Sequence, residues 1–248
     1  MRFKSKIKPA NRINAKQSPR SRSYYILMNK RRHNIILLVL IILGIGFIAL
    51  TALVALLPTS GLDIEFSHYI QSRQNPVLDK IMYLISTPGY TPEAPIMIVA
   101  TSLLFLLFKY KKAAGYTLLT ALSGLLSTIV KALVNRPRPS KDIVRIVFET
   151  SQKSFPSGHM MFYVIFFGFM IVLMFQLEGV AKWVRTVVIV ISLFFIFTIP
   201  VSRIYLGAHW FTDVLGGFLL GLPSLYVLAW LYLRKKADDT EAPKPEVV

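Results

Sequence analysis

Long apolar runs alternate with short polar connectors along most of the chain. The runs extend from Ile35 to about Leu57, Pro95 to Phe108, Ala113 to about Val134, Met160 to Leu177, Thr186 to about Tyr205, and Asp213 to Leu233. Most of them approach the roughly 20 residues that an α-helix needs to cross the hydrocarbon core of a bilayer. The pattern therefore predicts an all-α, polytopic membrane protein with six transmembrane helices.

The stretch between the first and second apolar runs has mixed polarity. From Pro58 to Thr91 the apolar positions recur at helical spacing, and Asn75-Pro76 and Pro88-Gly89 interrupt the pattern. This arrangement predicts short amphipathic helices at the outer membrane interface. His68 falls in this stretch, and as a single histidine it is predicted to contact lipid headgroups rather than to act as a catalyst.

Both ends of the chain are polar and lack apolar periodicity. Residues 1–34 and 237–248 are predicted to be disordered tails, which leaves 35–236 as the membrane domain. The 248-residue chain is 54% hydrophobic with a formal net charge of +17, and 11 of its 29 Lys and Arg residues lie in the first tail. A basic segment directly before a membrane helix favours a cytoplasmic location and contact with anionic lipids over nucleic-acid binding.

The other cations give the same orientation. With six spans, 20 of the 29 Lys and Arg residues fall on the side of the amino terminus and nine fall on the opposite side. Both termini are therefore predicted to be cytoplasmic, and the connectors after spans one, three and five extracytoplasmic. The chain contains no cysteine, which excludes disulfides, thiolate metal ligands and a cysteine nucleophile.

Charged and titratable residues are concentrated at the predicted outer ends of spans three to six. Lys131 and the segment Arg136-Pro137-Arg138-Pro139 end span three, and Pro156-Ser157-Gly158-His159 opens span four. Ser202-Arg203 ends span five, and His209 and Asp213 open span six. Polar side chains near the hydrocarbon are costly, so their convergence on one membrane face predicts a functional site there.

The residue types at these positions favour phosphate chemistry. On a helical turn, the four-residue spacing of His209 and Asp213 places a carboxylate beside the imidazole, which fixes the tautomer and leaves the other ring nitrogen as a nucleophile or base. Arg203 suits a phosphate or carboxylate, and Ser157-Gly158 precedes a helix whose amino end favours anions. The two histidines and the aspartate also allow an interpretation as ligands of a metal ion. The three neighbouring cations, Lys131, Arg138 and Arg203, disfavour this interpretation because they would repel a divalent ion.

Together, the segments Lys131 to Pro139, Pro156 to His159 and Ser202 to Asp213 resemble the three-part signature of the type 2 phosphatidic acid phosphatase (PAP2) superfamily. Every fixed position matches in order, and the resemblance covers roughly residues 60 to 235. It implies that His209 is a nucleophile forming a phosphohistidine, that Asp213 orients it, and that His159 is the general acid. It further implies a metal-independent reaction without cofactors, and a phosphate-binding set of Lys131, Arg138, Ser157, Gly158 and Arg203.

The resemblance implies an integral membrane lipid phosphatase that acts at the extracytoplasmic face. Two alternatives stay open: a phosphotransferase that passes the phosphate to a second lipid, and a non-enzymatic lipid-binding or transport protein. The excess of positive charge in residues 136–153 favours more negative headgroups, in the order isoprenyl diphosphate (such as undecaprenyl diphosphate), phosphatidylglycerol phosphate and phosphatidic acid. The predicted partners are the bilayer and a lipid phosphate, without nucleic acid, and the oligomeric state is left open.

Overall fold

A computed structural model describes residues 19–147 and 152–234, with side chains from residue 31 onward. Within these ranges the chain forms helices and no strands, which confirms the predicted all-α class. The α-helices are α1 (Pro19–Leu56), α2 (Gly61–Gln71), α3 (Pro76–Ser86), α4 (Glu93–Leu107), α5 (Lys111–Leu119), α6 (Leu122–Val134), α7 (Gly158–Gln176), α8 (Lys182–Tyr205) and α9 (Phe211–Leu233). A 3-10 turn, Thr87–Gly89, connects α3 to the segment before α4.

Each predicted apolar run corresponds to helical structure. Five helical segments are long and apolar enough to cross a membrane: Arg31–Leu56, Lys111–Val134, Gly158–Gln176, Lys182–Tyr205 and Phe211–Leu233. A sixth candidate is the pair Pro76–Gly89 and Glu93–Leu107, which is bent by 57°. The second predicted run forms α4, which alone has only 15 residues. The chain is therefore a multi-pass membrane protein, with five such helices in its described part, or six if the bent pair is one span.

The chain divides into two units, residues 1–41 and 42–248, and the site described below lies within the second. Helix α1 begins at Pro19, inside the segment expected to be a disordered tail. Proline is favoured at the first helical position, and neither Gly nor Pro interrupts the chain between Pro19 and Gly44. Residues 1–18 and the second expected tail, 237–248, lie outside the described residues.

Helix α7 is the most deeply packed element of the second unit. Of its apolar span 72% is buried, compared with 28% in each of α8 and α9. Aromatic side chains fill the contact with α8, where the rings of Phe167 and Phe195 stack with centroids 4.9 Å apart. Large apolar residues elsewhere point outward, such as Phe197 with 73% of its surface exposed. An exposed apolar surface of this kind indicates that the outer helices face lipid.

Local hydrogen bonds define the helix ends that carry polar residues. The hydroxyl of Ser157 accepts a bond from the backbone N–H of Met160 at 3.4 Å and starts α7. Asn135, in the left-handed region with φ +54°, ends α6 and turns the chain toward the following arginines. Between α1 and the 3-10 turn lie the two short helices, α2 and α3, that the sequence predicts. The Gln71 side chain at the end of α2 donates to the carbonyls of Arg145 and Tyr205, at 2.8 and 3.0 Å.

Candidate active site

The polar helix ends surround a cavity of about 520 Å³. Its lining includes six of the residues predicted for the site, namely Lys131, Arg138, Gly158, His159, Arg203 and His209. These residues come from the end of α6, the following loop, the start of α7, the end of α8 and the turn before α9. Ser157 and Asp213 are also buried next to these elements, but they do not line the cavity.

His209 is held in a tight turn between α8 and α9. Gly207 has φ +68°, and a Cβ atom there would lie 2.2 Å from the carbonyl oxygen of Arg145, so only glycine fits. The N–H groups of Ala208 and His209 then donate to the carbonyl of Arg203, at 3.1 and 3.3 Å. This turn leaves the His209 side chain 2% exposed at the wall of the cavity.

The two ring nitrogens of His209 have different neighbours. Nδ1 lies 3.5 Å from Oδ2 of Asp213, and Nε2 lies 3.4 Å from a guanidinium nitrogen of Arg138. An arginine only donates, so we assign the proton to Nδ1 and the lone pair to Nε2. Burial, together with the positive charges of Arg138, Lys131 and Arg203, lowers the pKa of His209 well below its usual range. A neutral imidazole with a free lone pair has the form that a nucleophile requires.

Asp213 is fully buried in the first turn of α9. Its Oδ2 accepts the backbone N–H of Trp210 at 2.8 Å and the hydroxyl of Ser154, and its Oδ1 accepts a guanidinium N–H of Arg136 at 2.6 Å. The amino end of a helix also favours a negative charge. Asp213 is thus fixed by three donors, and the His209 imidazole lies against an oxygen whose position is already set.

Arg136 is the main residue of the site that is not among the predicted site residues. It is 2% exposed and bridges Asp213 to Asp63 of α2, whose Oδ2 accepts at 2.7 Å. The same guanidinium donates to the hydroxyl of Thr212 at 2.7 Å and to the carbonyl of Pro58 at 2.8 Å. Asp63 in turn accepts the N–H of Thr212 at 2.9 Å. Helix α2 therefore supports the carboxylate beside His209, although it contributes no residue to the cavity lining.

The three cations on the cavity wall are bound differently. The Lys131 ammonium donates to the carbonyls of Lys153 and Ser154, at 2.5 and 3.3 Å. Arg138 donates to the carbonyls of Gln152 at 2.5 Å and of Ala208. Burial and the charge of Arg203 lower the pKa of Arg138 to about 10, so it remains a cation at neutral pH. In residues 31–147 and 152–234, none of the three forms an ion pair with a carboxylate.

Arg203 is linked to the segment that follows α3. Its guanidinium donates to the hydroxyls of Ser86 and Tyr90, at 3.0 and 2.8 Å. Tyr90 lines the cavity and its ring lies edge-on to His159, with centroids 4.8 Å apart. Neither Ser86 nor Tyr90 has a sequence signal that singles it out, because both lie in a segment expected to form amphipathic surface helices.

His159 lines the same cavity as His209 and lies on the first turn of α7. Its Nε2 is buried and forms no hydrogen bond within the described structure. Buried polar atoms usually have a partner, so an unpaired nitrogen on a cavity wall is suited to exchange a proton with a bound ligand. Among the described residues, no group of three or more histidine, aspartate or glutamate side chains is arranged to hold a metal ion.

Comparisons with known proteins identify the family of the chain. Residues 112–237 match the sequence profile of the PAP2 superfamily. The chain is 28% identical over 190 residues to lipid phosphate phosphatase delta of Arabidopsis thaliana, covering 72% of this chain and 44% of that protein. It is 34% identical over 129 residues to phosphatidylglycerophosphatase B of Bacillus subtilis (strain 168), covering 49% of this chain and 60% of that protein. The chain spans about half the length of these curated relatives.

Two solved structures share the fold. One is a transmembrane PAP2-type phosphatidylglycerolphosphate phosphatase from Bacillus subtilis, with a TM-score of 0.65 at 24% identity, covering 80% of this chain and 98% of that one. The other is LpxE of Aquifex aeolicus, with a TM-score of 0.54 at 21% identity, covering 71% of this chain and 98% of that one. At these identities the likeness concerns the arrangement of helices.

Proposed function

Since the chain belongs to the PAP2 superfamily, we propose that it is a membrane lipid phosphatase that hydrolyses a lipid phosphate or diphosphate through a phosphohistidine on His209. The observation that carries this proposal is the environment of the imidazole. Its Nδ1 faces the fixed carboxylate of Asp213, while the ring borders a cavity lined by Lys131, Arg138 and Arg203. A neutral nucleophile next to three cations is suited to attack a phosphorus atom that carries several negative oxygens.

In the first chemical step, Nε2 of His209 forms a bond to phosphorus while the bond from phosphorus to the lipid oxygen breaks. His159 donates a proton to the departing oxygen, which leaves as the lipid alcohol, or as the monophosphate when the substrate is a diphosphate. Asp213 stabilises the positive charge that the His209 ring acquires. The three cations stabilise the phosphoryl oxygens through the transition state, which is the main demand of phosphoryl transfer.

In the second step, water attacks the phosphohistidine. His159, now neutral, takes a proton from the water, the P–N bond breaks, and inorganic phosphate leaves with the original proton count restored. Fixed cations here supply the charge stabilisation that divalent ions supply in other phosphoryl-transfer sites. We therefore propose that the reaction is independent of added metal.

The charge distribution supports an extracytoplasmic site with both termini in the cytoplasm, because 20 of the 29 Lys and Arg residues fall on the side of the termini. The cavity also extends past the cations to Ala94, Pro95 and Ile98 at the start of α4. An apolar extension of this kind supports a substrate whose chains remain in the bilayer. Reporter fusions at residue 150 and at the carboxyl terminus should give opposite locations, and equal locations would contradict this topology.

Ion pairs in the loop weaken the prediction that the positive charge of residues 136–153 favours the most negative headgroups. Of the cations in residues 136–153, Arg136 is paired with Asp63 and Asp213, and Arg145 is paired with Asp79. These two arginines add little positive potential at the cavity. The proposed substrate class is therefore a lipid phosphate or diphosphate in general, and charge alone ranks isoprenyl diphosphate above the glycerol-based lipids only weakly.

The decisive experiment is phosphate release by the purified full-length protein in detergent, over phosphatidic acid, phosphatidylglycerol phosphate and isoprenyl diphosphate. We expect release without an acceptor lipid, in the presence of a chelator, and inhibition by vanadate, which mimics the five-coordinate transition state. His209→Ala should abolish release and covalent labelling, whereas His68→Ala, an exposed histidine bonded to the Ile143 carbonyl, should retain both. Release only with an acceptor lipid would indicate a phosphotransferase, and chelator-sensitive activity restored by metal would contradict the mechanism.

A further inference from the structure

The cavity continues along α6, away from the cations and toward the middle of this membrane helix. Its wall on α6 and on the residue before this helix consists of small residues within three helical turns before Lys131: Ala121, Ser123, Gly124, Ser127 and Thr128. A Cβ atom built on Gly124 meets no other atom within 4 Å, so open space adjoins the helix there. A ligand whose phosphate lies among the cations therefore has room to extend along this wall.

Ser127 differs from Thr128, the next hydroxyl residue on this wall. The Thr128 hydroxyl donates to the carbonyl of Gly124 at 2.9 Å and is satisfied within the chain. Thr120, which lies outside the cavity lining, likewise donates to the carbonyl of Thr117 at 2.6 Å. Ser127 is 3% exposed, lines the cavity, and its hydroxyl has no hydrogen-bond partner in the described structure. Since buried hydroxyls rarely remain unpaired, this one points to a partner on the ligand.

The position of Ser127 relative to Lys131 limits what that partner can be. The two residues are one helical turn apart, about 6 Å along the axis. A phosphate held by Lys131 therefore brings the next few atoms of the same molecule to the Ser127 hydroxyl. Helices α6 and α7 approach closely at this point, because a Cβ atom on Gly158 would lie 3.2 Å from the Ser127 oxygen.

We propose that Ser127 forms a second polar subsite, beside the phosphate site, which binds an oxygen on the carbon next to the phosphate-bearing carbon of the lipid. Glycerol-based lipid phosphates carry a hydroxyl or ester oxygen at that carbon, whereas prenyl monophosphates carry only hydrocarbon. The subsite selects the glycerol-based class, which reverses the order that headgroup charge alone gives. The inference rests on the proposed phosphatase activity, because it assumes that the scissile phosphate lies among Lys131, Arg138 and Arg203.

The test pairs a protein change with a substrate change. Ser127→Ala removes the hydroxyl and keeps the Cβ that packs near Gly158, at 3.9 Å from the Cβ built there. The substrates are an acylglycerol phosphate and its deoxy analogue, which lacks the oxygen next to the phosphate-bearing carbon. We expect Ser127→Ala to lower kcat/KM for the glycerol substrate roughly three- to tenfold, the scale of one neutral hydrogen bond, and to leave the deoxy substrate nearly unchanged. Thr120→Val, which removes a hydroxyl bonded within the chain and outside the cavity lining, should change the ratio of the two substrates little.

Equal losses with both substrates would show that Ser127 has only a packing role and would overturn the proposal. An oxygen of the inner phosphate of a diphosphate is an alternative partner for the Ser127 hydroxyl. A comparison of a prenyl monophosphate with a prenyl diphosphate tests this alternative. Loss confined to the diphosphate would overturn the assignment to glycerol. If the unmodified protein hydrolysed none of the substrates, the proposed phosphatase function would fail, which is a result distinct from failure of the subsite.

Discussion

Arg136 and Arg138 lie two positions apart in one loop, yet they belong to electrostatically different regions. Arg136 is enclosed by the carboxylates of Asp63 and Asp213, so its charge is compensated within the protein. Arg138 is bound by carbonyl groups and approaches His209, so its charge remains available to the cavity. The region behind His209 is a closed ion-pair network, whereas the cations in front of it form no ion pair with a carboxylate among the residues that the structure describes.

This difference predicts which substitutions affect the stability of the protein and which affect mainly its activity. A buried ion pair tolerates the loss of one partner poorly, because the remaining charge is left uncompensated. A cluster of like charges is already unfavourable in the free protein, and binding of an anion relieves it. Substitutions behind His209 should therefore affect both folding and activity, and substitutions in front of it mainly activity.

The largest effect is expected for Arg136→Gln, which leaves the Asp63 and Asp213 carboxylates without their shared cation. We expect a loss of about 3 to 5 kcal/mol in the free energy of unfolding, the scale for breaking a buried pair. Phosphate release should fall by roughly 10²-fold or more, because the His209 partner loses its support. Thermal unfolding in detergent and initial rates measure the two effects.

The double variant Arg136→Gln with Asp63→Asn serves as the control for this prediction. It removes one of the two uncompensated carboxylates, while Asp213 keeps its bonds from Ser154 and Trp210. Stability should recover in part relative to Arg136→Gln alone. An Arg136→Gln protein that unfolds at the same temperature as the unmodified chain would show that the network contributes nothing to stability.

Arg138→Gln should lower the activity and leave the stability nearly unchanged. We expect kcat/KM to fall roughly 10²- to 10³-fold, as on removal of one donor that stabilises developing charge. The unfolding temperature should change little, since the lost bonds to carbonyls are offset by reduced repulsion with Arg203. Arg138→Lys retains the charge without the planar fork of donors and should give an intermediate rate. Destabilisation as large as that of Arg136→Gln would place both arginines in one structural network.

The pH dependence of activity provides a finer test of the cationic region. His209 must be neutral to attack, so activity is lost as the pH falls through its pKa in the folded protein. Burial and the three cations lower that pKa, and the acidic decline of kcat/KM should therefore lie below the ordinary histidine value of about 6.5. Removing one cation in Arg138→Gln should move the decline to higher pH. Substrate ionisation is the same for both proteins, so a decline at unchanged or lower pH would contradict the assigned cause.

Much of the cationic region could be predicted from the sequence because its signals are local. Apart from the start of α1, which lies at Pro19 instead of Ile35, apolar runs locate the helices to within a few residues, and their alternation brings the ends of spans three to six to one face. Lys131, Arg138, His159, Arg203 and His209 all occupy such ends, and the structure places them around one cavity. Whether they perform the assigned chemical roles stays a prediction.

The ion-pair region could not be predicted in the same way, because its contacts are distant in the chain. Asp63 lies on α2 and Arg136 after α6, and in the sequence Ser60 and Asp63 have the spacing of an ordinary helix start, which they also form. The 57° bend between α3 and α4 and the approach of Tyr90 to Arg203 likewise depend on tertiary packing. Hydrophobic periodicity carries no information about which buried carboxylate meets which arginine.

The smallest effect is expected for Arg145→Gln, which tests whether every arginine in the 136–153 segment matters to the cavity. Arg145 forms a two-pronged ion pair with Asp79, but its side chain is 36% exposed, and Asp79 raises the pKa of Arg145 while compensating its charge. Exposed pairs contribute at most about 1 kcal/mol and are screened by salt. We expect a small decrease in unfolding temperature that disappears at high salt, with kcat/KM for phosphatidic acid within about twofold of the unmodified value.

Asp79→Asn should lower the unfolding temperature more than Arg145→Gln does, because Asp79 also accepts the Tyr205 hydroxyl at 2.7 Å. A loss of activity in Arg145→Gln comparable to that of Arg138→Gln would show that uncompensated charge extends along the whole loop, and the two-region description would then be wrong.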